Sequence, residues 1–433
     1  MADMDRGERA GKPTLIHRIR SIVSAEQLGP GLVTGAADDD PSGIATYSQA
    51  GARFGYGLLW TMLLCYPLMC AVQLVSAHIG RVTGRGLASN MRDMLPRWLV
   101  AGTVLILFVA NTINIGADLA AMGDAAAQVL GGGSHALTFG FALASVLLQL
   151  FVSYHRYARV LKWLTLSLLA YVAVVMIVHV DWAAAATGLV VPRIEGKEAV
   201  VMIVALFGTT ISPYLFFWQS AQEVEEVVDR DDAKPLVEAP EQARKEFRRI
   251  RTDTFVGMAA SNLVALAIMI ATAATLHVSG TTEIQDAAQA AQALEPVAGK
   301  FAFALFAIGI IGTGLLAVPV LAGSTAFAIG EALGWKTGLE HKVLEAKRFY
   351  AVIAVATMIG VALDWSPIPP IQALVWSAVL NGFAAVPIMA VMMIVAGKSR
   401  AMGRFTASRL ELVLGWAATA VMGAAAVALV VWN

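Results

Sequence analysis

The chain has 433 residues, 58% hydrophobic and 14% charged, with zero formal net charge and a mean hydropathy of +0.68. That balance excludes an ordinary soluble domain and marks a polytopic, all-α membrane protein. With no global field, nothing argues for nucleic acid or an acidic partner, and the electrostatics that matter are local.

Residues 1–27 are polar and basic (MADMDRGERAGKPTLIHRIR and onward), lack the apolar core of a secretory signal, and are expected to form a cytoplasmic leader. Windows of about 20 apolar residues then predict eleven spans. They are 28–53, 56–80, 98–130, 136–155, 160–181, 198–227, 253–278, 298–333, 348–364, 367–396 and 409–432. Basic connections (the leader, GRVTGRGLASNMRDMLPR, YHRYARVLK, ARKEFRRIRTD, GWKTGLEHKVLEAKRF, GKSRAMGRFTASR) alternate with poorly basic ones such as LGGGSHALT and LDWSPIPP. Lysine and arginine bias sets orientation, so the N-terminus is expected inside and the C-terminus outside. Cys65 and Cys70 share one apolar segment and read as small core residues.

Two spans are interrupted. In the first, AADDDPSGIAT places Asp38, Asp39 and Asp40 before Pro41 near the middle of the span; in the sixth, Ser212 precedes Pro213. A proline removes a backbone donor and disfavours helix in the residue before it, while Asp or Ser followed by Pro is also a helix start. Each span therefore reads as two half-helices. Paired interruptions five spans apart point to an inverted-repeat secondary transporter with its site at the breaks. The expected organisation is a transporter core over 28–396, built from repeat one (28–181) and repeat two (198–396), with a cytoplasmic loop at 228–252. Residues 397–433 add a connecting loop and the eleventh helix.

A charged side chain at the bilayer centre costs about 2.5 to 3.5 kcal/mol, and is kept only where it meets a cavity, a partner or an ion. Unwinding also frees carbonyls at the negative end of each first half-helix. Asp40, free carbonyls near Ala37 and Thr209, and the Ser212 hydroxyl would make an oxygen-rich pocket suited to a cation. Asp40 and Ser212 also admit a purely capping role, and Asp38 and Asp39 a place on the rim of a water-filled vestibule.

The stretch GPGLVTGAADDDPSGIATYSQAGARFGYGLLW resembles the first span of the NRAMP family of divalent metal transporters. The likeness continues through HIGRVTGRGLA, GADLAAMGDA, LFAIGIIGTGLLAVPVLAGSTAFAIGEALG and SRAMGRFTASRLELVLGW, covering almost the whole chain. The resemblance implies an amino-acid-transporter-like fold and a divalent cation as cargo. It implies an ion site drawn from Asp40, Ala37, Thr209, Ser212, Gly43, Asp39, Tyr214 and Asn381.

The departures carry information too. The family's first-span Asn ligand is Gly43 here, and its Met-Pro-His is Ser212-Pro213-Tyr214. Losing the thioether moves the expected preference toward harder ions, magnesium and also manganese, and the chain is most similar to the NRAMP-related magnesium branch. Proton-coupled members carry acidic residues in span three and histidines after the sixth-span proline. This chain keeps Asp118 but has Asn111, Ala121, Tyr214 and Gln219 at the other positions. Little or no proton coupling is therefore expected, with Asp118, Asn111 and Asn114 as a possible proton or polar pathway and Thr112 beside them. Asn381 competes with Leu380 for the inward register of span ten.

Residues 223–253 (EVEEVVDRDDAKPLVEAPEQARKEFRRIRTD) read as a solvated loop. No phosphate loop, metal-ligating Cys/His cluster or hydrolase triad appears, so no enzyme activity and no cofactor beyond the transported ion are expected. The remaining expectations are the lipid bilayer as partner, no nucleic acid, function as a monomer, and a bacterial plasma membrane location. Transport of another small substrate, a proton-coupled manganese or iron mechanism, and a non-transporting sensor are the alternatives.

Overall fold

The computed structural model describes residues 29–152, 166–339 and 341–431. Among them every regular element is helical. The leader, the turn YHRYARVLK and the first part of span five lie outside the described residues.

Span one consists of Pro30–Asp38 and Pro41–Phe54, and span six of Gly196–Thr210 and Pro213–Asp229. The others are Trp60–Thr83, Arg97–Leu130, Ser134–Phe151, a fifth described from Leu166 (Leu169–Ile177), Ala243–Thr272, Ala302–Leu333, Lys347–Leu363, Pro370–Ala396 and Arg409–Val431. Among the described residues, eight helical stretches are long and apolar enough to cross a membrane. Spans one, five and nine fall short individually: one is cut in two, five is only partly described, and nine has 17 residues.

The prolines explain where helices stop. Pro41 and Pro213 each open a second half-helix, where a missing N–H costs nothing. Pro67, Pro319 and Pro387 lie inside continuous helices of spans two, eight and ten.

Both halves of span one pack on span seven, and the second half of span six packs on span two. Spans three and eight pack on each other, and span ten packs on the first half of span six. Because five crossings separate the two breaks, corresponding elements run in opposite senses, forming two inverted five-helix repeats. Glycines set the close approaches that hold the first half-helices. A side chain on Gly35 would strike the backbone of Gly257 in span seven, and one on Gly208 would strike Ala378 and Gly382 in span ten.

The segment 223–253 is largely not a solvated loop. Helix runs to Asp229 and resumes at Ala243 after a short 3₁₀ turn, Pro240–Gln242, so the loop expected at 228–252 is much shorter. Glu223 and Glu246 are buried because arginines come with them. Arg249 meets Glu223 at 2.5 Å, Glu226 at 3.1 Å and Glu246 at 3.0 Å, and Arg81 of span two reaches Glu246 at 3.4 Å. Composition registers the charges but not their pairing, and a paired charge can be buried where an isolated one cannot.

Candidate functional site

In a helix the carbonyl of residue i accepts from the N–H of residue i+4. Pro41 and Pro213 therefore deprive the carbonyls of Ala37 and Thr209 of their donors. The sequence leaves both oxygens open, yet in the structure each meets a hydroxyl. Tyr214 Oη donates to the Ala37 carbonyl at 3.1 Å. Ser212 Oγ lies 2.7 Å from the Thr209 carbonyl and 2.9 Å from that of Gly208. Ser212 makes no capping bond to its own half-helix.

Asp40, 1% exposed, does cap its half-helix. Its Oδ1 accepts from Gly43 N at 2.7 Å and from Ser42 Oγ at 2.8 Å. Its other oxygen accepts from Asn114 Nδ2 of span three at 3.2 Å, and the same nitrogen donates to Asp118 Oδ2 at 3.0 Å. Asn381 Nδ2 of span ten donates to Asn114 Oδ1 at 2.7 Å. Leu380 is 39% exposed and Asn381 fully buried, so the register of span ten turns Asn381 inward. Capping and membership of a buried polar cluster thus coexist in Asp40, each through one oxygen.

Around this cluster several buried oxygens have no hydrogen-bond partner among the described residues, Asp118 Oδ1, Asn381 Oδ1 and Thr209 Oγ1 included. An unsatisfied buried polar atom costs about 1–3 kcal/mol, and the group is dominated by acceptors, as a cation requires. A Cβ on Gly43 would lie 3.1 Å from Thr209 Oγ1, 3.2 Å from the Tyr47 ring and 3.4 Å from Asp40 Oδ1. A side chain starting there is crowded by a hydroxyl and a ring, which would have to give by a few tenths of an ångström.

Other candidates lie elsewhere. Asp38 Oδ2 and Asp39 Oδ1 converge on Ser261 Oγ of span seven, at 2.7 and 3.1 Å, so both carboxylates are buried against a helix and do not line an open rim. Asn111 is committed to span eight, donating to Leu321 O, Ser324 Oγ and Thr325 Oγ1 at 3.2, 3.1 and 2.8 Å. It does not join Asp118. Thr112 bonds back to Phe108 at 2.7 Å and sits beside Gly360 of span nine. Gln219 accepts from Thr34 Oγ1 and lies 3.5 Å from Glu223 Oε1, tying span one to the inner ion-pair network. Ser261 was not anticipated, since one hydroxyl in an apolar stretch carries almost no signal.

Among the described residues, no three His, Cys, Asp or Glu side chains come together as a metal cage. An ion at the breaks would take a mixed set of carboxylate, amide, hydroxyl and water oxygens.

Residues 31–432 match the family described as Natural resistance-associated macrophage protein-like (Nramp). A divalent metal cation transporter, MntH, of Klebsiella pneumoniae subsp. pneumoniae is 29% identical over 410 residues, covering 92% of each chain. An MntH of Deinococcus radiodurans is 26% identical over 397 residues, covering 90% of this chain and 86% of its own. Among solved structures, a manganese transporter of Eremococcus coleocola superposes with a TM-score of 0.70 at 17% identity, over 93% of this chain and 85% of that one. A nucleobase-cation-symport-1 family transporter shares the fold more distantly, with a TM-score of 0.54 at 13% identity over 93% and 92% of the two chains.

Proposed function

The chain belongs to the Nramp family, and from that premise we propose that it is a secondary transporter of divalent metal cations. It works by alternating access around the breaks at Asp40 and Ser212, in a bacterial plasma membrane and as a single chain. Repeats over 28–181 and 198–396 provide the two moving halves, with span eleven added outside them. The observation that supports this most is the buried cluster of Asp40, Asn114, Asp118 and Asn381, which includes oxygens without a partner among the described residues.

The cargo includes manganese, the cation named for the Eremococcus coleocola transporter, and magnesium. Neither Ser212 nor Gly43 supplies a soft or amide donor, and an all-oxygen set suits magnesium and manganese alike. Asn111 and Gln219 cannot titrate, which favours potential-driven entry with little proton coupling. A second reading, manganese entry coupled to protons, is favoured by one observation: Asp118 is retained and reaches Asp40 through Asn114.

Uptake into proteoliposomes holding a divalent-sensitive dye and a pH dye tests these readings together. Magnesium and manganese entry without acidification supports the first. Manganese entry with acidification and no magnesium flux supports the second, and no divalent flux contradicts both.

A further inference from the structure

We propose that Ser212 and Tyr214, the two residues flanking Pro213, determine specificity by keeping the proline-freed carbonyls of both breaks out of the ion's coordination shell. This rests on the divalent-cation reading above. Its basis is the relation between two sequence facts and two contacts. Pro41 and Pro213 leave the Ala37 and Thr209 carbonyls as the natural direct ligands of an ion at the breaks. Each instead accepts a hydroxyl from the second break: Tyr214 Oη on Ala37 O at 3.1 Å, and Ser212 Oγ on Thr209 O at 2.7 Å. All four residues are buried.

A hydroxyl that donates to a carbonyl fills one of its two lone-pair directions and sets the positive end of its O–H dipole beside the other, which weakens that oxygen as a cation ligand. A bound ion then competes with that proton for the oxygen. Where it fails, a water fills the vacant coordination position, and the ion keeps more of its shell. That outcome penalises magnesium least, because magnesium dehydrates reluctantly and usually keeps several waters. An ion that gains more from shedding water, such as manganese, loses part of its advantage. The hydroxyls thus act as a selectivity filter by occupation, through donors that neither coordinate the metal nor carry charge. Tyr214 also joins the two breaks directly, since its ring belongs to span six and its partner carbonyl to span one.

The test is the hydration of bound Mn²⁺ in the full-length protein in nanodiscs. It is counted by ¹⁷O-water hyperfine coupling in electron paramagnetic resonance, for wild type and for the pair Ser212→Ala with Tyr214→Phe. Both substitutions remove only the hydroxyl. The double variant is expected to hold Mn²⁺ with fewer waters than wild type. Its competition ratio for manganese over magnesium should rise about fivefold per freed carbonyl, the scale of one hydrogen bond. Ser212→Thr, which keeps a donor, is expected to stay at the wild-type water count. An unchanged water count and ratio in the double variant, beside a wild type that binds Mn²⁺, overturns this proposal and leaves the transport reading standing. A wild type that binds no Mn²⁺ overturns both.

Discussion

Asn114 and Asp40 meet across spans three and one, Nδ2 to Oδ2 at 3.2 Å, while the same nitrogen serves Asp118 at 3.0 Å. One amide therefore spaces two buried carboxylates, and Asn381 fixes its orientation from the far side at 2.7 Å. Three helices are joined at a point where all four side chains are buried and each bond of the network supports the others.

Asn114→Ala should be costly on that account. It leaves both carboxylates and Asn381 Nδ2 without this partner, and each buried orphan is worth about 1–3 kcal/mol. The double variant with Asn381→Ala should show a coupling of about 0.5–3 kcal/mol, as residues of one network do. Thermal unfolding of the four proteins of the cycle checks this, and strict additivity would show that the contact carries no energy.

Restoring the amide of the first-span motif should fail alone and succeed with room made for it. Gly43→Asn drives a Cβ to 3.1 Å from Thr209 Oγ1 and 3.2 Å from the Tyr47 ring, an overpacking of about 1–3 kcal/mol. Gly43→Asn with Thr209→Ala should regain stability and favour manganese over magnesium. Melting temperatures and competitive uptake measure the two effects separately.

The inner ion pairs carry a stability prediction of their own. Arg249→Met strands Glu223, which has no solvent exposure, and breaking a buried pair in this way costs about 3–5 kcal/mol. Adding Glu223→Gln should recover much of the loss, because it removes the uncompensated charge. A double variant no more stable than Arg249→Met would show that Glu223 is held by other groups.

The Asp38 and Asp39 carboxylates are tied to Ser261. Replacing either with Asn should therefore reduce uptake less than the same change at Asp40. Equal losses at all three positions, measured as initial rates at saturating metal, would place the ion among the triplet as a whole.

What the sequence disclosed follows from local chemistry. Pro41 and Pro213 interrupt helices through their own missing N–H groups, and the basic loops alternate, so the breaks and the order of eleven spans could be read without coordinates. Asp40 stood out because a carboxylate at membrane depth demands a reason. The use of the freed carbonyls was not legible, because Tyr214 reaches Ala37 across 177 positions of chain. Nor could Ser261 be foreseen as the shared partner of two aspartates, or Asn111 as a partner of span eight and not of Asp118. The polar run 223–253 misled because its glutamates are paired by Arg249, 26 positions from Glu223 in the chain, and by Arg81 of another helix.

The central claim is that the cation passes at the Asp40 carboxylate. Asp40→Asn keeps the cap, since Asn caps helices as well as Asp, but it carries no charge and turns an amide nitrogen toward the Asn114 donor. Initial Mn²⁺ uptake should be measured in proteoliposomes reconstituted with wild type and with this variant at matched amounts of folded protein. The account predicts a melting temperature lowered by loss of the Asn114 contact, worth about 1–3 kcal/mol, and uptake reduced about a hundredfold, near 2.8 kcal/mol at about 1.4 kcal/mol per tenfold. Uptake by Asp40→Asn at the wild-type rate would contradict it.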